Sequence, residues 1–254
     1  MMLAQFRMPA LAVTIGVAAA VAPVLSLVAP AQAAAAGHGG NGPTGAHTRA
    51  LSVSTPTFAG YQATVATGSS TSSAAQYKLP KLSCTSAARA ITPVAGVAVN
   101  NFATFSAAFV FVGCSSGKAV YFPALVINGT QTHFTTTNLA AGDAIKVATK
   151  VTTTGTTVQV TDVTKAITKK LTGPGASANA AYAGDSDWVT STNKLLGVPK
   201  FGTLTFTHCT VDGKTLASAH PTKIQRVNSS NVVQIATGAL SRAGTTFATH
   251  FKHS

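Results

Sequence analysis

The chain has 254 residues, and its 18 Lys and Arg outweigh five acidic side chains to give a formal net charge of +13. All five acids are aspartates (Asp143, Asp162, Asp185, Asp187 and Asp212), and there is no glutamate. The lysines are scattered, with Lys169-Lys170 the only adjacent pair and no aromatic-interleaved basic patch. A specific nucleic-acid partner is therefore not expected, whereas attraction to anionic cell-wall polymers or lipid head groups is.

Taken in chain order, residues 1–33 read as an export signal. Arg7 precedes an apolar run from Leu11 to Val28, and Ala31-Gln32-Ala33 offers the small-x-small pattern of a cleavage site after Ala33. The run is close to spanning length, but its prolines and the tripeptide favour removal over anchoring. With no twin-arginine pair, the general secretory route and an extracellular location are expected. Residues 34–54 have no period and read as a flexible linker. From residue 55 to 254 the chain is long enough for one β domain with its own core.

Period-two runs rich in β-branched and aromatic residues predict strands at Tyr61–Thr67, Ala75–Leu79, Thr104–Val112, Ala119–Ile127, Ala144–Val151, Thr156–Val163 and Leu204–Val211. Three shorter ones follow at Lys223–Asn228, Asn231–Ala236 and Thr245–Phe251. Glycines such as Gly60, Gly68, Gly113, Gly129 and Gly155 read as the turns between strands. No segment keeps a helical apolar period. The fold class is all-β, a sandwich of two antiparallel sheets.

Three cysteines, Cys84, Cys114 and Cys209, allow one disulfide and leave one thiol, with three pairings open. Cys209 alternates with Thr205 and Thr207 on one strand face and reads as a small buried thiol. Its neighbour His208 points to the opposite face, which argues against a Cys-His pair. The seven histidines show no metal-ligand spacing, so neither a metal nor a cofactor is expected.

A series of blocks in order carries a family resemblance. They are Phe58-Ala59-Gly60-Tyr61, Ala75 to Cys84, Gly113-Cys114-Ser115-Ser116-Gly117-Lys118, Ala140-Ala141-Gly142-Asp143, Ser186-Asp187-Trp188-Val189, Lys200 to Phe206, and the closing segment Ile224 to Phe247. Together they resemble the eqolisins, glutamic endopeptidases built on a concanavalin-like β-sandwich. The resemblance implies a Cys84–Cys114 disulfide. It also implies a catalytic Gln and Glu that share a water, the Glu as general base and acid and the Gln holding the oxyanion. The Gln position falls within Phe105–Ala108, where there is no Gln, and the Glu position is Asp187. Two further blocks of the family's cleft have become Val94 to Val99 and Pro123 to Val126, losing acids and aromatic rings.

Asp187 is thus the candidate general base, one methylene shorter than Glu, and mispositioning by about 1 Å costs on the order of a hundredfold in rate. Loss of the oxyanion partner costs roughly another 10²–10³. The other reading of Asp187 is a structural or exposed carboxylate beside a packed Trp. Asp185 and Asp187, separated by Ser186, read as a solvated pair on one loop. Trp188 is either a core anchor or a stacking residue at a cleft edge, and Tyr61 and Tyr121 either line the cleft or pack. Asp143 reads as a turn cap. The expectation is a monomeric, exported, catalytically degenerate protein whose concave sheet face binds peptide or polysaccharide. Its competitors are an active acid endopeptidase with Asp187 as base and a carbohydrate-binding module.

Overall fold

The computed structural model describes residues 52–68, 70–100, 103–188 and 195–254; the expected signal segment and most of the linker lie outside the described residues. Sixteen strands follow one another. The first six are β1 (Ser52–Thr55), β2 (Phe58–Thr64), β3 (Thr71–Lys78), β4 (Arg89–Val99), β5 (Thr104–Ser115) and β6 (Lys118–Ile127). Next come β7 (Thr130–His133), β8 (Ala144–Val151), β9 (Thr156–Asp162), β10 (Ile167–Gly173) and β11 (Ala178–Ser186). The last are β12 (Thr203–Val211), β13 (Lys214–Thr215), β14 (Thr222–Val227), β15 (Val233–Thr237) and β16 (Phe247–Phe251). Among the described residues the only helical turn is Leu216–Ala219. Strand β1 begins at Ser52, inside the segment read as linker, and pairs in parallel with β14.

The strands hydrogen-bond in the order β10-β9-β8-β3-β12-β16-β15-β14-β2-β11-β4-β5-β6-β7, with β13 paired to β12. This long sheet doubles over on itself. Strand β3 packs across β4 and β11, β8 across β4 and β5, and β9 across β5 and β6. The result is a two-layer sandwich in which β16, β15 and β14 carry the hydrogen-bonded path from one layer to the other. All neighbours along that path are antiparallel.

Alternation explains the layer β10-β9-β8-β3-β12. On β8, Ile145, Val147, Thr149 and Val151 turn inward while Lys146 and Lys150 are exposed. Ile145 and Val147 meet Tyr61, Ile91, Val110 and Leu125 of the other layer in one core, and Val151 packs with Val97 and Val99 in a smaller one. Each such side chain contributes about 1.5–3 kcal/mol through burial. Phe206 stacks on Phe247 at 4.9 Å, and Tyr61 meets Phe247 edge-on at 5.0 Å. Two tyrosine hydroxyls in this core are satisfied: Tyr77 donates to the Pro93 carbonyl at 2.9 Å and Tyr61 to that of Gly238 at 2.8 Å.

Strands β4 and β11 were not expected, because they carry no alternation. Nearly every residue of both is buried, so neither has a polar face. Gly60 is not a turn residue either: it lies within β2 opposite Gly184 of β11. A Cβ on Gly184 would stand 2.1 Å from the Ala59 carbonyl oxygen, so the close approach of the two backbones requires glycine. Gly113 likewise sits inside β5, where a Cβ would stand 2.4 Å from the Phe111 ring.

Cys84 and Cys114 form a disulfide with Cα atoms 5.5 Å apart, and Cys209 is free and buried. Cys209 does not share a face with Thr205 and Thr207. The pairing of β12 with β3 shifts between Thr207 and Thr210, and His208 adopts a φ of 51°. This β-bulge turns Cys209 into the core beside Leu204 and Phe206, whereas Thr205 and Thr207 stay outside. Burial pushes its thiol up to about 12.

Two outcomes follow from this packing. Thiol reagents should leave Cys209 unmodified in the native protein and label it once denaturant unfolds the chain; labelling at native-state rates equal to those of a free thiol contradicts the bulge. Gly184→Ala should cost more than about 3 kcal/mol and lower the melting temperature by about 10 °C.

Candidate functional site

The layer containing β4, β5 and β6 has a second apolar surface on the side away from the intersheet core. Alternation on β5 sends Ala108, Val110 and Val112 inward and Phe105, Ala107, Phe109 and Phe111 outward. Val94, Ala124, Val126, Tyr182, Phe58 and Ile224 join them in a separate buried cluster. Gly96 makes room for the Tyr182 ring, which a Cβ there would meet at 2.4 Å.

Trp188, the only tryptophan, sits on this surface just beyond β11. Its ring stands edge-on to Phe111 at 4.8 Å and to Phe109 at 6.1 Å, with the His133 ring at 5.3 Å. Phe111 stacks on Phe122 across the strand pair at 4.6 Å with 9° between planes. Phe111, Phe122, His133 and Trp188 are half-buried, so together they present a partly open aromatic platform. His133 arrives on β7 opposite Ala124; burial lowers its pKa, and its Nε2 has no hydrogen-bond partner. Of the three aromatic residues expected to bind, Trp188 alone lies on this face. Tyr61 and Tyr121 point into the intersheet side, where Tyr121 donates to the Pro80 carbonyl at 2.9 Å.

The acids at the end of β11 are not a solvated loop pair. Strand pairing continues through Ser186, which places Asp185 inside the sheet, fully buried, with Oδ2 accepting a hydrogen bond from Thr249. Asp187 follows it, half-buried. Its N–H donates to the Thr57 carbonyl at 2.9 Å, and its own carbonyl accepts from Thr92 at 3.2 Å. Its Oδ1 accepts from the Ser186 hydroxyl at 3.3 Å, while Oδ2 is buried with no partner. Arg226 of β14 is only 2% exposed; Nη2 donates to the Leu196 carbonyl at 3.3 Å, and Nε and Nη1 have no partner.

Among the described residues no ion pair closer than 4.0 Å joins Arg226 to either carboxyl, so the three groups interact through the poorly screening interior. Burial dominates all three. It raises Asp185 to about 7 against the smaller opposing effects of Thr249 and Arg226. It raises Asp187 despite Arg226 and Ser186, and it lowers Arg226 against the pull of Asp187 and then Asp185. Asp187 is thus the stronger counter-charge to the guanidinium. Arg226 shares a strand phase with buried Ile224, and a charge at an apolar position was the one sequence sign of this group.

Within Phe105–Ala108, Ala107 and Phe105 face the Trp188 surface, and the Ser106 hydroxyl is engaged with Asn128 at 3.2 Å. No glutamine hydrogen-bonds to the Asp187 carboxyl among the described residues. Ala98 and Val126 are buried. Asp143 caps its turn, Oδ2 accepting from the Ala140 N–H at 2.7 Å and pairing with Lys165.

These features define a two-layer antiparallel β-sandwich with an aromatic outer surface and an Asp-Trp corner at the end of a central strand. Solved glutamic peptidases share the architecture. Scytalidoglutamic peptidase with a transition-state analogue inhibitor superposes with a TM-score of 0.61 at 16% identity, over 77% of this chain and 100% of that one. SCP-B, an eqolisin in complex with the tripeptide Ala-Ile-His, gives 0.58 at 16% over the same shares. Aspergilloglutamic peptidase from Aspergillus niger gives 0.54 at 18%, over 65% and 99%. At this identity the likeness shows the fold. No protein-family model matches the chain, and no curated protein matches it.

The buried group makes stability depend on pH. Folded Asp185 keeps its proton up to about pH 7, whereas the unfolded chain releases it near 3.8. The native state therefore binds more protons across that window, and stability falls as pH rises through it, by on the order of 4 kcal/mol. Asp187 acts with the same sign. Melting temperature should fall between pH 4 and pH 8, and Asp185→Asn, which keeps the acceptor for Thr249, should flatten that slope. Asp187→Ala should cost about 3–5 kcal/mol by stranding the Arg226 charge, a loss measurable by denaturant titration.

Proposed function

We propose that this chain is an exported binding protein with a glutamic-peptidase scaffold, one that holds a peptide or polymer segment on the aromatic face around Trp188 and does not cleave it. In this reading residues 1–33 are the export signal, residues from 34 form a linker, and the sandwich from β1 onward is the secreted domain. The disulfide supports an oxidising destination. Among the described residues, no helix is long and apolar enough to cross a membrane.

The observation that carries the proposal is the chemistry of the face itself. Hydrolysis by a carboxylate and an amide needs both aimed at one water, with donors ready for the developing oxyanion. Here the corresponding stretch presents Phe105 and Ala107, backed by Phe109, Ala124 and Val126. Asp187 lies under the Trp188 corner, coupled to a buried arginine. Half-buried rings suit stacking against apolar or cyclic groups of a bound segment. The competing reading, an acid peptidase using Asp187, draws on one feature: its Oδ2 has no partner and is free to accept a proton.

One protein preparation tests both. Unfolded protein substrate incubated with the full chain from about pH 2 to pH 7, the span over which a carboxyl base titrates, should remain intact. Cleavage abolished in a folded Asp187→Asn variant, an isostere that keeps the side-chain volume and the acceptor for Ser186, would establish the peptidase instead. Titration with the same unfolded polypeptide should change the emission of Trp188, the sole tryptophan. A flat titration with substrate intact would remove the binding role.

A further inference from the structure

The exposed side of the other layer has a different chemistry. Every carboxylate in the chain is committed elsewhere. Asp143 and Asp162 are buried beside Lys165, and Asp185 and Asp187 surround Arg226. Asp212, the only exposed acid, accepts the Ser72 N–H at 2.7 Å. The surface cations therefore have almost no neutralising partners.

Some of those cations are arrayed on the outer side of β10-β9-β8-β3-β12. Lys146 and Lys150 project from β8, Lys78 from β3 and Lys170 from β10, and all four are exposed. Lys146 stands opposite Gln76 on one side and Thr161 on the other, and Lys170 opposite Gln159. Lys146 and Lys150 are about 13 Å apart along their strand, and Lys170 lies about 10 Å across, two strands over. Between the lysines the outward positions on these five strands hold Ser, Thr, Gln and Ala, with His208 exposed at the bulge beside Thr207 and no Phe, Tyr or Trp; Asp212, just past β12 on Ser72, is the one acid at this edge. A groove of about 500 Å³ opens on this side, where Gln76 and Lys78 face Thr203, Thr205 and Thr207. The bulge at His208 keeps Thr205 and Thr207 outside while the strand continues into the core.

We infer that this face is a second binding surface, for a linear anionic polysaccharide lying across the strands with its charges on Lys78 and Lys146 and its hydroxyls in the threonine-lined groove. Charge complementarity names an anion. The groove sets Gln76, Thr203, Thr205 and Thr207 beside apolar Leu79, Pro80 and Val163, a mixed lining that suits a sugar's hydroxyl groups and its C–H faces. With one imidazole, His208, and no Phe, Tyr or Trp, the face lacks the run of stacking rings on which single-stranded nucleic acid depends beyond charge. It is distinct from the Trp188 surface, which lies on the opposite layer.

The test measures binding of the full chain to immobilised polygalacturonate, with neutral dextran and single-stranded DNA as the other ligands. Lys78→Gln/Lys146→Gln is compared with Lys118→Gln/Arg242→Gln, which removes the same charge from exposed residues elsewhere. The face variant should bind polygalacturonate at least about fivefold more weakly and lower the salt slope by about two, with the control variant near the unaltered protein and dextran unretained. Equal losses in the two variants would overturn the inference, leaving net charge alone as the cause. Retention of dextran, or tighter binding to DNA lost in the face variant, would overturn it as well. Should the double variant melt early, Lys146→Gln alone is measured, with a loss of about twofold expected and an unchanged affinity counting against the site.

Discussion

The structure depends on two strands that are buried on both sides. β4 and β11 lie between the intersheet core and the aromatic layer, so neither surface of their backbones meets water. Such strands have to be apolar throughout and small where backbones or rings come close. This accounts for the alanines and glycines of β11, for Gly60 against Gly184, and for Gly96 beneath Tyr182. It also constrains function. Once Phe109, Tyr182 and Trp188 cover the outer side of these strands, a desolvated polar pair there would need partners that the surroundings do not supply.

That same constraint decides what could be read beforehand. Strands with one wet side announced themselves: β8 and β9 alternate Lys or Thr with Val and Ile, and both were expected within a residue of their bounds. β4 and β11 were silent, because periodicity is the imprint of a polar face and they have none. The bulge at His208 was hidden for a different reason, since one extra residue reverses the inward set without altering composition. Cys84 with Cys114 followed from the resemblance rather than from arithmetic. Asp187 and Trp188 were marked by their block, but the charge that gives the acid its character, Arg226, comes from a strand dozens of residues later.

Charge is sorted in space. All the acids but Asp212 are buried or half-buried, holding turns or facing a buried cation, while lysines and hydroxyls occupy the outside of one layer and aromatic rings the outside of the other. A scaffold similar in fold to peptidases thus presents two unlike surfaces on opposite sides. Contacts made through packing on the aromatic side would tolerate salt, whereas Coulomb attraction on the lysine side would weaken with it.

The order of strands in space has a consequence for the birth of the molecule. β16, from the last residues of the chain, sits between β12 and β15, and β14 closes onto β2 near the beginning. A polypeptide delivered amino end first therefore cannot complete either layer until its final segment arrives. Until then β2 and β12 present open edges, and the sequence that will form the core stays accessible to chaperones. Closure of β14 onto β1 and β2 joins residues 160 to 171 positions apart, a slow kind of contact to make, so the fold is locked late.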